Sequence, residues 1–210
     1  GRGSVGSAET AASLVQRAVK ACPKMKEFAF AMHVRANVLH AVFDGWRNLQ
    51  TLAINIQHPA NVFELARPGL FDATCCSRLT TLETHNITND VLVALARLCP
   101  ALTSVDVSSS PALTSATMLA KPTMQTVNVS RTAIYDDTLF ALASSKTLLH
   151  AFTHDCHNTT VAGTCVLLAC EQLREISFQQ RLCSKTLTDA ATRATSRGVI
   201  TYAQPSHVFY

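Results

Sequence analysis

A chain of 210 residues with 48% hydrophobic and only 15% charged residues is rich enough in apolar side chains for one substantial core or one repeat array, which excludes a disordered chain. The longest apolar run, around residues 161–170, is interrupted by Gly163 and is too short to span a bilayer. The net charge of +4 is modest and becomes informative only once the charges are placed.

The chain begins without Met and carries no signal-peptide pattern, so residues 1–7 (GRGSVGS) read as a flexible tail or cloning remnant ahead of an excised domain. The eight cysteines are an even number, which would suit disulfides. Cys22, Cys99 and Cys170, however, recur at the ends of apolar helical phrases, as small buried hydrophobes do. Reduced cysteines and an intracellular setting, cytoplasmic or nuclear, are therefore expected. Three sequons (Asn86, Asn128 and Asn158) point the other way, but Asn128 falls within an expected strand, where a glycan fits poorly.

In chain order, Leu14, Val15, Ala18 and Val19 recur at helical spacing and end at Cys22-Pro23, which predicts an amphipathic helix. A strand phrase then begins, apolar-x-x-apolar-x-apolar. It recurs as Met25/Phe28/Phe30, Leu49/Leu52/Ile54, Leu79/Leu82, Leu102/Val105/Val107, Met124/Val127/Val129, Leu149/Phe152, Leu173/Ile176/Phe178 and finally Ile200/Tyr202. Successive starts lie 24, 30, 23, 22, 25 and 24 residues apart, with a last strand expected from Arg197. Near-constant spacing of this length is the mark of a solenoid built from stacked supersecondary units. Between strands a second phrase recurs: Ile87-Thr-Asn-Asp, Leu113-Thr-Ser-Ala, Ile134-Tyr-Asp-Asp and Leu187-Thr-Asp-Ala. Thr88, Thr114, Thr188 and one of Asp136 and Asp137 are the expected helix N-caps. Behind them, Val91, Leu92, Leu95 and Leu98, and likewise Leu139, Leu142 and Ala143, form apolar stripes. The repeat with spacing 30 contains Pro59, Pro68, Gly69 and the Cys75-Cys76 pair, and predicts a broken helix with a protruding loop over 57–76.

The strand triplets, the helix starts at Ile87-Thr88-Asn89-Asp90 and Leu187-Thr188-Asp189, and the helix-end Cys99 and Cys170 together resemble the leucine-rich repeat family. Within it they resemble the cysteine-containing subclass found in F-box-protein-like substrate receptors. The slot eight residues past each strand start, which that family fills with Asn or Cys, holds His33, Ile87, Ser110, Thr132, His157 and Arg181 here. The resemblance implies an α/β leucine-rich-repeat right-handed solenoid, a horseshoe with a parallel sheet on its concave face and helices on its convex face. Residues 8–210 would form a single domain of about seven or eight repeats. A helical N-cap (8–22), an irregular repeat with its insertion (47–76) and a C-terminal strand cap (197–203) complete it.

In such a horseshoe, side chains flanking each buried apolar pair point outward from the concave wall. The 24 outward positions taken this way hold five acids and no Lys or Arg among Ser, Thr, Asn and Ala. Such a wall does not grip phosphates, because nucleic-acid affinity rests on clustered cations. It suits a basic or neutral protein segment, and the expected contact residues are Glu83, His85, Asp106, Asn128, Asp155 and Glu175. The basic residues gather instead at the two ends and elsewhere stand singly as solvated charge. The reading is a non-enzymatic protein-protein interaction module or scaffold, with no cofactor, no metal and no membrane contact. The substrate-recognition part of a ubiquitin-ligase-type adaptor and a structural subunit of a ribonucleoprotein or other large assembly remain open beside it.

Two patterns that mimic chemistry do not survive their context. Gly1-x-Gly3-x-x-Gly6 spells a dinucleotide fingerprint, but no strand precedes it. His154-Asp155-Cys156-His157 has metal-ligand residue types, yet His154 falls at an apolar slot of its strand and nothing nearby offers an oxyanion site.

Overall fold

The computed structural model describes residues 11–34, 36–56, 76–179 and 184–204. Along the chain run α1 (Ala11–Ala21), β1 (Glu27–Val34), α2 (Ala36–Gly45), β2 (Thr51–Ile56), β3 (Thr81–His85) and α3 (Asn89–Leu98). There follow β4 (Ser104–Asp106), a 3-10 turn (Thr117–Leu119), β5 (Thr126–Asn128), α4 (Asp136–Ala143), β6 (His150–Phe152), α5 (Val161–Leu168), β7 (Glu175–Gln179), α6 (Lys185–Ser196) and β8 (Ile200–Gln204). The eight strands form one sheet in strict sequence order, β1 to β8, and every pairing is parallel. Parallel neighbours require a crossover, and among the described residues α2, α3, the 3-10 turn, α4, α5 and α6 supply one on the far side of the sheet. This is an α/β leucine-rich-repeat solenoid, with the sheet on the concave face and the helices on the convex face.

The core runs the length of the array between sheet and helices. Leu52, Leu82, Val105, Val127, Ala151 and Ile176 form one buried row in strand register. Leu79, Leu102, Met124, Leu148 and Leu173 enter below it, and Leu39, Val42, Leu92, Leu95, Leu139, Leu142, Leu167 and Leu168 close it from the helix side. At the first repeats Trp46 is fully buried, packs with its ring centroid 4.7 Å from that of Phe28 at a 46° tilt, and donates its Nε1 hydrogen to Cys22 O at 2.9 Å.

Several expectations shift by a residue or fail. The strand phrase at Leu149/Phe152 is out of register, because Leu148, Ala151 and Thr153 are buried while Phe152 lies on the wall opposite Asn128 and Ser177. The last strand slips in the same way. Val199 is buried, and Ile200 and Tyr202, opposite Glu175 and Ser177, are exposed. In a strand a one-residue slip exchanges faces for every side chain. With the corrected register the Asn-or-Cys slot of that repeat holds Cys156, fully buried, in place of His157.

Of the expected caps, Thr88 occupies the N-cap position of α3 but makes no side-chain cap bond. The repeat with Thr114 has no α-helix, only the 3-10 turn. α6 is capped by Ser184, whose Oγ accepts the Leu187 N–H at 3.2 Å, while Thr188 sits inside the helix. Asp136 is the first residue of α4, and its carboxylate serves the next repeat instead. Among the helix-end cysteines Cys99 is buried, Cys170 is half-buried and Cys22 is exposed. Among the described cysteines, Cys22, Cys99, Cys156, Cys165 and Cys170 are free thiols. Residues 57–75, with most of the expected loop, lie outside the described residues, as does Arg181.

Candidate partner-binding wall

Three rows of side chains cross the concave face. Where the pairing is read along the sheet, the first runs Glu27, Thr51, Thr81, Ser104, Thr126, His150, Glu175, Ile200. The second runs Ala29, Ala53, Glu83, Asp106, Asn128, Phe152, Ser177, Tyr202. The third, at the strand exits, includes Asn55, His85, Ser108, Ser130, His154 and Gln179. No Lys or Arg stands in these rows. The carboxylates in them are Glu27, Glu83, Asp106 and Glu175.

The strand exits are shaped by one repeated device. The Asp106 carboxylate accepts the Ser108 N–H at 2.9 Å through Oδ1, and Asn128 Oδ1 accepts the Ser130 N–H at 3.1 Å. This is the Asx turn, a side chain standing in for a backbone acceptor two residues on. A left-handed residue follows each of these two turns, Ser109 (φ 55°) and Arg131 (φ 57°), and the strand exits at Asn86 (φ 60°) and Asp155 (φ 57°) adopt the same backbone without an Asx side chain at the matching wall position. The sequence phrases Asp106-Val-Ser-Ser and Asn128-Val-Ser-Arg are two spellings of this turn.

The same side chains are linked from strand to strand. Asn128 Nδ2 donates to Asp106 Oδ2 at 2.7 Å. His85 Nδ1 lies 2.8 Å from Ser108 O, and a carbonyl only accepts, so this nitrogen carries hydrogen. His85 Nε2 faces Glu83 Oε1 at 3.4 Å. Ser130 Oγ pairs with His154 Nδ1 at 2.8 Å, and Ser177 Oγ lies 3.3 Å from the same nitrogen. A hydrogen-bonded ribbon thus extends from Glu83 on β3 to Ser177 on β7. In the first row His150 Nδ1 donates to Glu175 Oε2 at 3.0 Å. Interlocked side chains of this kind lose little further freedom when a partner docks.

Four of the six expected contact residues, Glu83, His85, Asp106 and Asn128, are neighbours in this ribbon. Glu175 stands in the first row beside His150. Asp155 does not belong to the wall rows. It occupies the left-handed position after β6, meets the Arg131 guanidinium at 3.7 Å and accepts a long bond from Gln179 Nε2 at 3.4 Å. There it lines, with Pro111, Arg131, Thr132, Ala133, His157 and Asn158, an open cavity of about 500 Å³ at the rim. Sequence reasoning missed His150, Phe152, His154, Ile200 and Tyr202, all through the two register slips.

The four-residue cluster is pulled apart by the turn. His154 faces the wall, Asp155 the rim, Cys156 the core and His157 the solvent. Burial lowers the affinity of the His154 imidazole for a proton below the ordinary value of 6.5, against the pull of Asp155 and Asp106 and with the push of Arg131. Burial pushes the Cys156 thiol up to about 11, despite the Thr132 hydroxyl beside it. That thiol stays protonated and lies 3.0 Å from Val129 O, toward which it is directed as a donor. Among the described residues no group of three or more His, Cys, Asp or Glu converges as a metal site would require.

Two of the described basic residues, Lys121 and Arg197, close helix ends on the convex side. Lys121 Nζ donates to Ala96 O and lies 3.4 Å from Cys99 O at the end of α3. Arg197 reaches Leu168 O, Ala169 O and Cys170 O at the end of α5. Cations at a helix C-terminus satisfy otherwise unpaired carbonyls and meet the negative end of the helix dipole. Among the described residues no helix is long and apolar enough to cross a membrane.

Neither a protein-family model nor a characterised protein sequence matches this chain. Solved structures do. Internalin C2 of Listeria monocytogenes superposes with a TM-score of 0.55 at 16% identity, covering 92% of this chain and 77% of that one. An internalin F structure from the same organism gives 0.48 at 12% identity, covering 93% of this chain and 57% of that one. The likeness to internalin C2 is one of architecture, and it agrees with the strand order read above: this chain is built as a leucine-rich-repeat solenoid.

Proposed function

We propose that the protein is a non-enzymatic interaction module that takes a basic or neutral polypeptide on its concave wall. The observation that carries this reading is the wall itself. It is a row-ordered surface with four carboxylates and no Lys or Arg, held by side chains already bonded to one another across five strands. A carboxylate-bearing, preorganised surface selects a cationic or neutral partner and repels nucleic acid, whose binding depends on clustered cations. The architecture of internalin C2, a leucine-rich-repeat protein, is compatible with such a module.

Charge reversal on the wall tests the proposal. Asp106 holds two neighbours in place, so its replacement would confound binding with folding. Glu83→Lys with Ser104→Lys reverses one wall charge and adds a cation beside it, at the expense only of the long 3.4 Å contact between Glu83 and His85. Proteins captured specifically from a lysate should fall by at least about tenfold with this pair, a loss typical of central contact residues. Arg97→Glu on the exposed face of α3 should leave capture unchanged. Equal capture by all three proteins would place binding elsewhere.

A further inference from the structure

The wall changes character along the solenoid axis. Toward β3 and β4 its middle row is acidic. Glu83 is 54% exposed, Asp106 follows in register, and the hydroxyls of Thr81 and Ser104 lie beside them. Toward β6 to β8 the same row becomes apolar. Phe152 pairs with Ser177 and Ser177 with Tyr202, and Ile200 stands next to Glu175 in the first row. Tyr202 and Ile200 are 47% and 54% exposed, large apolar side chains that the register turns away from the core. Isolated apolar residues on a surface need no explanation, but three gathered at one end of one face form a patch.

We infer that the occupant of the wall is an extended polypeptide segment laid across the strands, with a Lys or Arg over Glu83 and Asp106 and an aromatic or branched aliphatic side chain over Phe152 and Tyr202. The inference rests on the reading of the wall as the binding face and specifies the partner's chemistry. Charge complementarity sets which segments approach, and burial of the apolar anchor supplies most of the affinity. The spacing follows from the sheet. Neighbouring strands lie about 4.8 Å apart, so the centre of the apolar patch near β7 is roughly 14 Å from Asp106 and roughly 19 Å from Glu83. An extended chain advances about 3.3 Å per residue, which separates cation and anchor by about four to six residues. Either chain direction satisfies this spacing. Between the two ends, the partly exposed Asn128 and His154 supply hydrogen-bonding groups for the intervening backbone, with Ser130 buried beneath them as the partner of His154.

A library of random dodecapeptides displayed on phage and panned against the full chain tests this. Enriched peptides should pair a Lys or Arg with an aromatic or aliphatic residue about four to six positions away. Each should lose affinity by at least about tenfold on Glu83→Lys and again on Tyr202→Ser or Phe152→Ser. A peptide whose cation is changed to Glu should bind the Glu83→Lys protein better than wild type, a rescue that misfolding cannot mimic. Peptides lost on Glu83→Lys yet indifferent to Tyr202→Ser and Phe152→Ser would leave the wall as the binding face and overturn the two-ended partner. Peptides indifferent to all three substitutions, or a library that enriches nothing, would overturn both.

Discussion

Thr84 shows how much single side chains decide in this array. It is fully buried in a strand position filled by Ile54 and Val107 in the neighbouring repeats, and its Oγ1 has no hydrogen-bond partner. An unpaired hydroxyl in an apolar site costs about 1–3 kcal/mol, and valine has nearly the same shape. Thr84→Val should therefore raise stability by about 1 kcal/mol in urea unfolding, and a loss would show that the hydroxyl is satisfied after all. His154 makes the reverse argument with pH. Its folded-state proton affinity is lowered by burial, so the unfolded chain binds the proton more readily. Its contribution is fully present above its ordinary value of 6.5 and is lost as pH falls through the window below it. The stability difference between wild type and His154→Gln should therefore change in that window and be flat above it, and a difference flat from pH 5 to 8 would remove the effect. The thiols give a third test. Iodoacetamide should label exposed Cys22 in the native protein, whereas buried Cys99 and Cys156 should react only on unfolding.

At the scale of elements, successive repeats are stapled by side chains that reach from the start of one helix to the next. Asn89, first in α3, accepts the Thr114 and Ser115 N–H groups at 2.9 and 3.1 Å. Asp136, first in α4, accepts the Thr160 N–H at 2.8 Å and its hydroxyl at 2.5 Å. Gly163 on α5 makes room for that carboxylate, since a Cβ there would lie 2.3 Å from Asp136 Oδ1 and 3.0 Å from Leu139 Cδ1. Gly163→Ala improves helix propensity by roughly 1 kcal/mol but must displace a short, doubly bonded carboxylate. It should lower stability by about 1 kcal/mol or more. In combination with Asp136→Ala the two losses should not add, because Asp136→Ala removes the carboxylate that obstructs Gly163→Ala. Additive losses would mean that the two residues do not meet.

These staples were only half legible beforehand. The phrase Ile-Thr-Asn-Asp announced helix starts, but helix periodicity carries no information about a neighbouring repeat, so Asn89 and Asp136 read as parts of their own caps. The strand faces were legible wherever one apolar residue stood at the start, as at Leu79, Leu102 and Met124. At Leu148-Leu149 two adjacent leucines offered both registers, and at Val199-Ile200 two β-branched residues did the same. Counting on from Met124 with Cys156 placed in the Asn-or-Cys slot would have chosen Leu148, and with it would have moved His154 and Phe152 onto the wall.

The whole molecule is a chain of neighbours, and its stability should be distributed accordingly. In such arrays each repeat gains from its own core and from the interfaces on either side, so damage spreads only as far as the next units. Between α3 and α5 the interfaces carry the Asn89 and Asp136 staples, the Thr138 Oγ1 that accepts the Ala116 N–H at 3.0 Å and the Lys121 cap on α3. In the first two repeats Trp46 bonds to Cys22 and Arg78 reaches Asn48 in an exposed contact. Native-state hydrogen exchange should therefore be slowest in β4, β5 and β6 and faster in β1 and β2. Lys121→Met removes the donor to the carbonyls of α3 while keeping most of the apolar stem. It should cost about 1–2 kcal/mol, the price of leaving those carbonyls without their partner. The same substitution should speed exchange around α3 and β5 by roughly tenfold per 1.4 kcal/mol lost, while leaving α6 and β8 at wild-type rates. Uniform acceleration over all eight strands would mean that the array unfolds as one unit, and the wall would then be rigid or lost as a whole.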